Sequence, residues 1–218
     1  MKTLKIIIIL LLLNSLFIIS KAQNTLWLLN GKKIAIGDYQ INKGYEDEEI
    51  LTYLCFKGKT KEIELESVFM IINREGRENI FYKQDSLLEN YFTIEQMQSY
   101  VSGENSAINN YKPWWSTTTG FVIGAGSSFL TPLNKLIFIN NFNIYYAPVF
   151  PIAYSIGSGI CKRPSTLKIS IENPKYADDI YFMMGYKSVA KQKRVKNSLI
   201  GGGLGIMVGI ITAIIISN

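Results

Sequence analysis

Between residues 23 and 92, short apolar runs alternate with turn residues. Leu26–Leu29 runs into Asn30-Gly31, a dipeptide typical of two-residue β-hairpins, and Glu62–Glu66 alternates polar and apolar residues as a half-buried strand does. Such runs predict a small antiparallel β-domain over residues 23–92, either barrel-like or a strongly curved sheet. The predicted strands are Leu26–Leu29, Lys33–Ile36, Ile50–Phe56, Glu62–Glu66, Val68–Ile72 and Ile80–Tyr82.

A helical period replaces this pattern over residues 93–113. Thr93 and Gln96 have the spacing of a capping box. The helix is predicted to end before Pro113, because the residue before proline avoids the helical region. Gly103-Glu104 interrupts the helix and predicts a weak point or a bend. The apolar residues fall on one face, which predicts packing on the sheet or on a membrane surface; they are Ile94, Met97, Val101 and Ile108.

Uncharged stretches dominate the rest of the chain. Residues 114–160 predict a membrane hairpin with two short arms, Ser116–Leu130 and Ile144–Ile160. Trp114-Trp115 precedes the first arm, and tryptophan is typical of a membrane interface. Ser198–Ile216 would extend about 28 Å as a helix, which matches a hydrocarbon core of about 30 Å. The expected fold class is therefore an α+β membrane protein, in which a helical bundle of two to three transmembrane spans follows the β-domain and the amphipathic helix.

Glycines recur at intervals of four residues in two of these stretches. In a membrane, small residues at this spacing allow the backbones of two helices to approach closely. Packing within one chain is the preferred interpretation, and packing between copies into an oligomeric assembly or pore is the alternative. The predicted helix-packing residues are Gly120, Gly124, Gly201, Gly205 and Gly209.

A basic segment, residues 161–197, precedes the last span. Asn173-Pro174 is typical of a helix start, and it predicts one helix that runs from Pro174 into the final span. Such a position favours contact with anionic lipid head groups or with a protein partner, and a solvated collar is the plainer interpretation. The residues predicted to make these contacts are Lys187, Lys191, Lys193, Arg194 and Lys196.

The N-terminus has the features of a secretory signal peptide over residues 1–22. Lys2 and Lys5 precede the apolar run Ile6–Ile19, and small residues then predict cleavage after Ala22, with an uncleaved anchor as the alternative. The expected location is the bacterial cell envelope, as an integral membrane protein whose N-terminal domain is exported to the periplasm. Topology stays open, because the positive-inside rule places the basic segment in the cytoplasm, whereas three spans place it beside the exported domain.

Composition narrows the chemistry. The chain contains no histidine, which excludes Ser-His-Asp triads, imidazole bases and histidine metal sites. Cys55 and Cys161 are the two thiols, and free thiols are preferred to a disulfide. The net charge of +6 arises next to the last span, so nucleic acid is not an expected partner. Without catalytic, phosphate-loop or metal motifs, we expect no enzymatic activity and no cofactor. The leading hypothesis is a non-enzymatic anchor or binding module, whose β-domain binds or positions an unknown protein partner near the membrane.

The chain resembles a recurrent pattern in uncharacterised bacterial envelope membrane proteins. The resemblance implies a small N-terminal β-domain, a glycine-rich transmembrane hairpin and a basic-collared C-terminal span, and it implies no activity. Gly37–Glu49 is longer than the pattern, which leaves the strand register there open. The matching stretches are Leu28–Ile34, Ile50–Tyr53, Val68–Gly76, Tyr82–Ser86, Gly103–Asn105, Tyr111–Pro113, Gly185-Tyr186 and Ala190–Arg194.

Overall fold

Strands occupy the first part of the chain and helices the second. The computed structural model describes residues 23–44, 48–55, 58–85, 90–129, 148–161, 169, 173–176 and 178–217. The predicted signal peptide and the segment between the two uncharged arms, residues 131–143, therefore lie outside the described residues. The chain divides into two units, Met1–Val101 and Ser102–Asn218, and we describe each by itself.

The first unit contains an antiparallel sheet, which confirms the predicted α+β class. Its strand order is β4-β3-β2-β1-β5-β6, so the sheet is open, with β4 and β6 at its edges. The strands are β1 Asn24–Leu28, β2 Lys33–Lys43, β3 Glu49–Cys55, β4 Thr60–Glu64, β5 Val68–Ile72 and β6 Glu78–Ile80.

Connectivity requires this open sheet to be strongly curved. Strands β4 and β5 lie four positions apart in the sheet, and a single turn of 3-10 helix, Leu65–Ser67, joins them. The four steps from Glu64 to Val68 span at most about 14 Å. In a flat sheet, four strand spacings would separate the two strands by about 19 Å. The sheet must therefore curl until β4 approaches β5, in agreement with the curved-sheet alternative.

Each face of the curved sheet has its own core. One side buries Leu26, Leu28, Ile36 and Leu51 completely or almost so. On the other side Trp27 contacts Phe69 edge-on, with ring centroids 5.8 Å apart. Because successive strand residues point to opposite faces, β1 contributes to both cores.

The first hairpin forms at the predicted turn. Gly31 has a φ of 74°, and its amide donates to the carbonyl oxygen of Leu28 at 3.1 Å. The following strand, β2, is longer than predicted, because residues from Tyr39 to Lys43 continue the pairing with β3 beyond an irregularity after Ile36. The long Gly37–Glu49 stretch is thus mostly strand.

Helix α1, Ile94–Asn110, begins with the predicted capping box. The Thr93 amide donates to Gln96 Oε1 at 3.0 Å, and the Gln96 amide donates to Thr93 Oγ1 at 3.3 Å. Met97, Tyr100 and the fully buried Val101 pack on the Trp27 side of the sheet. The predicted burial of Ile94 is wrong: its side chain is 42% exposed, so the packed face starts one turn later.

Helix α1 continues without interruption through Gly103-Glu104, where a weak point or a bend is predicted. A side chain at Gly103 would overlap the carbonyl oxygen of Phe182. Glycine is therefore used here for the close approach of another helix backbone.

In the described part of the second unit, three further helices follow the end of α1. Helix α2 is Trp114–Phe129, α3 is Val149–Cys161 and α4 is Ile180–Ser217. The predicted start of α4 at Pro174 is wrong, because Pro174–Tyr176 forms a separate 3-10 turn and Asp179 caps the helix, accepting from the Phe182 amide at 3.0 Å. Its predicted unbroken course through the basic residues is confirmed.

Within the described part of the chain, one helix is long and apolar enough to cross a membrane, over Ile180–Thr212. Helices α2 and α3 contain 16 and 13 residues, or about 24 and 20 Å. Both are shorter than a hydrocarbon core of about 30 Å.

Candidate functional site

Glycines form the contact between α2 and α4. Side chains at Gly201 and Gly205 would overlap carbonyl oxygens of α2, and a Cβ at Gly209 would lie 2.7 Å from another. Each step of four residues along α4 matches a step of four along α2, in the same direction, so the two helices run parallel. The contacts are Gly201 with Thr117, Gly205 with Phe121, and Gly209 with Ala125.

The α2 glycines complete the same interface. A side chain at Gly120 would overlap the carbonyl oxygen of Ser198, and one at Gly124 would overlap that of Gly202. The structure thus brings all five sequence-predicted packing glycines into one interface, within one chain. Because neither helix presents a Cβ there, the backbones meet directly, which is the geometry that small residues at four-residue spacing permit.

Helix α3 packs on α4 in the opposite direction. A Cβ at Gly202 would lie 2.5 Å from Pro151, near the start of α3, and a Cβ at Gly159, near its end, would lie 2.7 Å from Val195. Later residues of α3 therefore contact earlier residues of α4, so the two helices are antiparallel. Sequence reasoning missed Gly103, Gly159 and Gly202 as contact residues, because each stands outside a regular glycine repeat on its own helix.

Where α2 and α3 pack on the second half of α4, the interior is small and polar, whereas the first half of α4 buries the large side chains of Phe182 and Tyr186. Ser127, Ser128, Ser155, Ser158 and Ser198 are at most 5% exposed. Their hydroxyls donate to backbone carbonyl oxygens, as Ser155 does to Pro151 at 2.7 Å, or reach across helices, as Ser128 does to Ile206 at 3.1 Å. These hydroxyls therefore find hydrogen-bond acceptors in their own helix or in a neighbouring one.

The exterior is apolar. Helix faces turned away from the glycine contacts carry large hydrophobic side chains, and Met207 and Ile215 are 65% and 69% exposed. Small residues inside and large apolar residues outside reverse the usual arrangement of a water-soluble domain. The outward-facing residues include Val122, Ile152, Ile156, Ile160, Leu204, Met207, Val208, Ile211 and Ile215.

Two of the five predicted lipid-contact residues face protein. Lys193 Nζ donates to three carbonyl oxygens at the end of α1, those of Ala107 at 3.0 Å, Ile108 at 2.5 Å and Tyr111 at 3.1 Å. The last carbonyls of a helix lack intrahelical partners, so Lys193 stabilises this end both by hydrogen bonding and by its charge.

Arg194 is buried, with 4% exposure. Its Nε donates to the Ser158 carbonyl oxygen and its Nη1 to the Tyr111 hydroxyl, both at 3.3 Å. Lys191 and Lys196 are exposed and Lys187 is half-buried. The basic segment is therefore divided between cations that hold helices together and cations that face outward.

The first unit has a groove of about 340 Å³. Its lining combines apolar Leu65 and Phe81 with charged Glu49, Glu66 and Lys83. Nearby, burial raises the pKa of the Tyr82 phenol, and its hydrogen bond to the Phe92 carbonyl oxygen at 2.8 Å acts in the opposite direction. The groove therefore offers both apolar and charged contacts.

Potential reactive groups are dispersed in the described residues. Glu62, Glu64 and Glu66 are exposed, and Asp179 is occupied as a helix cap. Cys55 is a free thiol, whereas the side chain of Cys161 lies outside the described residues. In the parts of the chain that the structure describes, no group of three or more acidic, cysteine or histidine side chains could hold a metal ion.

Comparison with protein-family models, curated proteins and solved structures finds no match to this chain. The resemblance to bacterial envelope membrane proteins therefore stays a prediction.

Proposed function

We propose that this protein is an integral membrane protein of the bacterial cell envelope, in which a glycine-packed helical unit anchors a β-domain that binds a protein partner. The observation that carries the proposal is the reversed arrangement of α2, α3 and the second half of α4. Burying glycine and serine while exposing Ile156, Met207 and Ile215 is unfavourable in water and favourable in hydrocarbon.

The helix directions extend the proposal to topology. Because α2 and α4 run parallel and α3 runs against α4, the starts of α2 and α4 lie at one end of the unit. If all three helices cross, residues 102–113 and the basic residues that precede the last span lie on the same side of the membrane. This arrangement supports three spans over two, since with two spans residues 114–160 would cross only once.

Packing within the chain supports the anchor over the oligomeric pore. The five glycines that would join copies already contact Thr117, Phe121, Ala125, Ser198 and Gly202 of the same chain. A binding role is proposed over catalysis because the sequence lacks histidine and its acidic strand residues are exposed.

Membrane insertion is tested by alkaline carbonate extraction of cell membranes. We expect the full chain to remain in the membrane pellet and a chain that ends at Asn197 to be released or degraded. Release of the full chain with soluble proteins would refute the anchor.

Topology is tested with single cysteines in a Cys55→Ser/Cys161→Ser background. Glu75→Cys in the first unit and Asp178→Cys before α4 both replace exposed residues. We expect a membrane-impermeant maleimide to label both positions in intact cells, or neither. Labelling of one position alone would exclude the parallel three-span arrangement.

Partner binding is tested by photo-crosslinking in cells. A photoreactive amino acid at Lys83, in the groove of the first unit, should form one reproducible adduct, whereas the same residue at exposed Lys61 on β4 should not. Equal labelling from both positions would argue against a defined binding groove.

A further inference from the structure

An open groove of about 630 Å³ lies along α4 beside the end of α3, where the charged part of α4 meets its apolar part. Among the described residues, the lining comes from α4 alone. Polar Ser188 and Gln192 occupy one end, and Val195, Leu199 and Ile200 the other. Lys196 is the last charged residue before the uncharged run, so the groove straddles the start of the proposed span.

Two lysines flank this groove. At about 100° per residue, Lys191 and Lys196 stand roughly 140° apart around the helix and about 7.5 Å apart along it. Ser188 and Gln192 fall in the angle between them, and Val195 and Leu199 continue the same face toward the span. The groove thus offers two cations, a hydroxyl and an amide above an apolar track.

The charge on these lysines is not neutralised by the described protein. Helix α4 contains no acidic residue. Among the described residues, no hydrogen bond or ion pair holds Lys191 or Lys196, in contrast to Lys193 and Arg194, which bind carbonyl and hydroxyl oxygens. Cations without partners at a polar–apolar boundary favour an anionic group that is attached to an apolar chain.

We propose that this groove binds an anionic phospholipid, with the phosphate between Lys191 and Lys196 and an acyl chain along Val195 and Leu199. Ser188 and Gln192 would donate hydrogen bonds to the phosphate oxygens. The proposal rests on the membrane location proposed above, and it names the lipid class that the basic segment selects.

The test uses the full chain, purified in detergent and depleted of lipid. Binding of phosphatidylglycerol and of phosphatidylcholine is titrated by native mass spectrometry, for the wild type and two double variants. Lys191→Gln/Lys196→Gln removes both groove cations. Lys59→Gln/Lys61→Gln removes the same charge from exposed positions on and beside β4.

We expect the wild type to bind phosphatidylglycerol at least tenfold more tightly than phosphatidylcholine. The groove variant should lose roughly 10- to 30-fold of its phosphatidylglycerol affinity, and the control variant should keep it. Equal binding of the two lipids, retained affinity in the groove variant, or equal losses in both variants would each overturn the proposal. Competition by millimolar inorganic phosphate as effective as that of the lipid would also overturn it, since the ligand would then be free phosphate.

Reconstitution separates this proposal from the membrane location. The chain is mixed with vesicles of pure phosphatidylcholine and then extracted with carbonate. Stable insertion into these vesicles, together with equal binding of the two lipids in the titration, would refute the head-group site alone. Failure to insert would refute the anchor itself.

Discussion

Replacing Gly205 with alanine tests the helix interface directly. The new Cβ would overlap the carbonyl oxygen of Phe121 and lie 2.8 Å from the amide nitrogen of Ala125, where ordinary contact needs about 3.4 Å. Both atoms belong to backbone, so no side-chain rotation relieves the overlap, and α2 and α4 must separate. Overpacking of this kind costs about 1–3 kcal/mol.

Gly203→Ala is the matched control. Gly203 lies two residues away on the same helix, and a Cβ there would meet no atom within 4 Å. Alanine is favoured over glycine inside a helix by about 1 kcal/mol at both positions. This gain cancels in the difference between the variants, which isolates the cost of the overlap.

The assay is thermal unfolding of the detergent-solubilised chain, followed by tryptophan fluorescence. Trp114 and Trp115 lie at the start of α2 and report on the helical unit. At about 2–4 °C per kcal/mol for a chain of this size, Gly205→Ala should melt roughly 2–12 °C below Gly203→Ala. Equal melting temperatures would refute close packing of α2 on α4. If Gly205→Ala dissociated oligomers without changing monomer stability, the glycines would pack between copies.

Three further variants probe other contacts. Lys193→Met removes the hydrogen bonds to three carbonyl oxygens at the end of α1. We expect it to lower the free energy of unfolding by about 2–4 kcal/mol and to speed amide hydrogen exchange at the end of α1. The control Lys191→Met should change that free energy by less than about 0.5 kcal/mol. Ser158→Cys/Ser198→Cys, whose native hydroxyls lie 3.5 Å apart, should form a disulfide within one chain on a non-reducing gel; a cross-linked dimer would contradict the arrangement of α3 and α4. Thr93→Ala removes the α1 cap and should cost about 1 kcal/mol in thermal unfolding, and an unchanged midpoint would show that the cap does not limit stability.

Much of the sheet follows from local sequence. Asn30-Gly31 specifies its hairpin through the positive φ of glycine, and the alternation around Trp27 specifies which residues face each core. The long β2 was missed because the exposed side chains of its second half carry no buried alternation. The order of β5 beside β1 depends on long-range pairing, which local periodicity does not encode.

In the helical unit, too, some features can be predicted from local sequence and others cannot. Regular glycine spacing identifies an interface, because nothing else in a helix explains the repeated loss of the side chain. It does not reveal helix direction, because the spacing of glycines on one helix is the same whichever way its partner runs. Lys193 and Arg194 were grouped with the outward lysines because sequence alone cannot show that helix ends and carbonyls lie opposite them.

Helix direction bears on the conflict between the signal-peptide prediction, which exports the first unit, and the positive-inside rule, which places the basic segment in the cytoplasm. If α2, α3 and α4 all cross the membrane, the parallel arrangement puts the start of α2 and the basic segment on one side, so an exported first unit would bring the basic residues with it. The structure weakens the conflict, because Lys193 and Arg194 are bonded to protein and contribute less to orientation than free cations would. Lys187, Lys191 and Lys196 remain, and pairing of two of them with an anionic lipid would further reduce the outward charge. If the lipid site exists, the basic segment acts less as a topology signal than as a set of helix and head-group contacts.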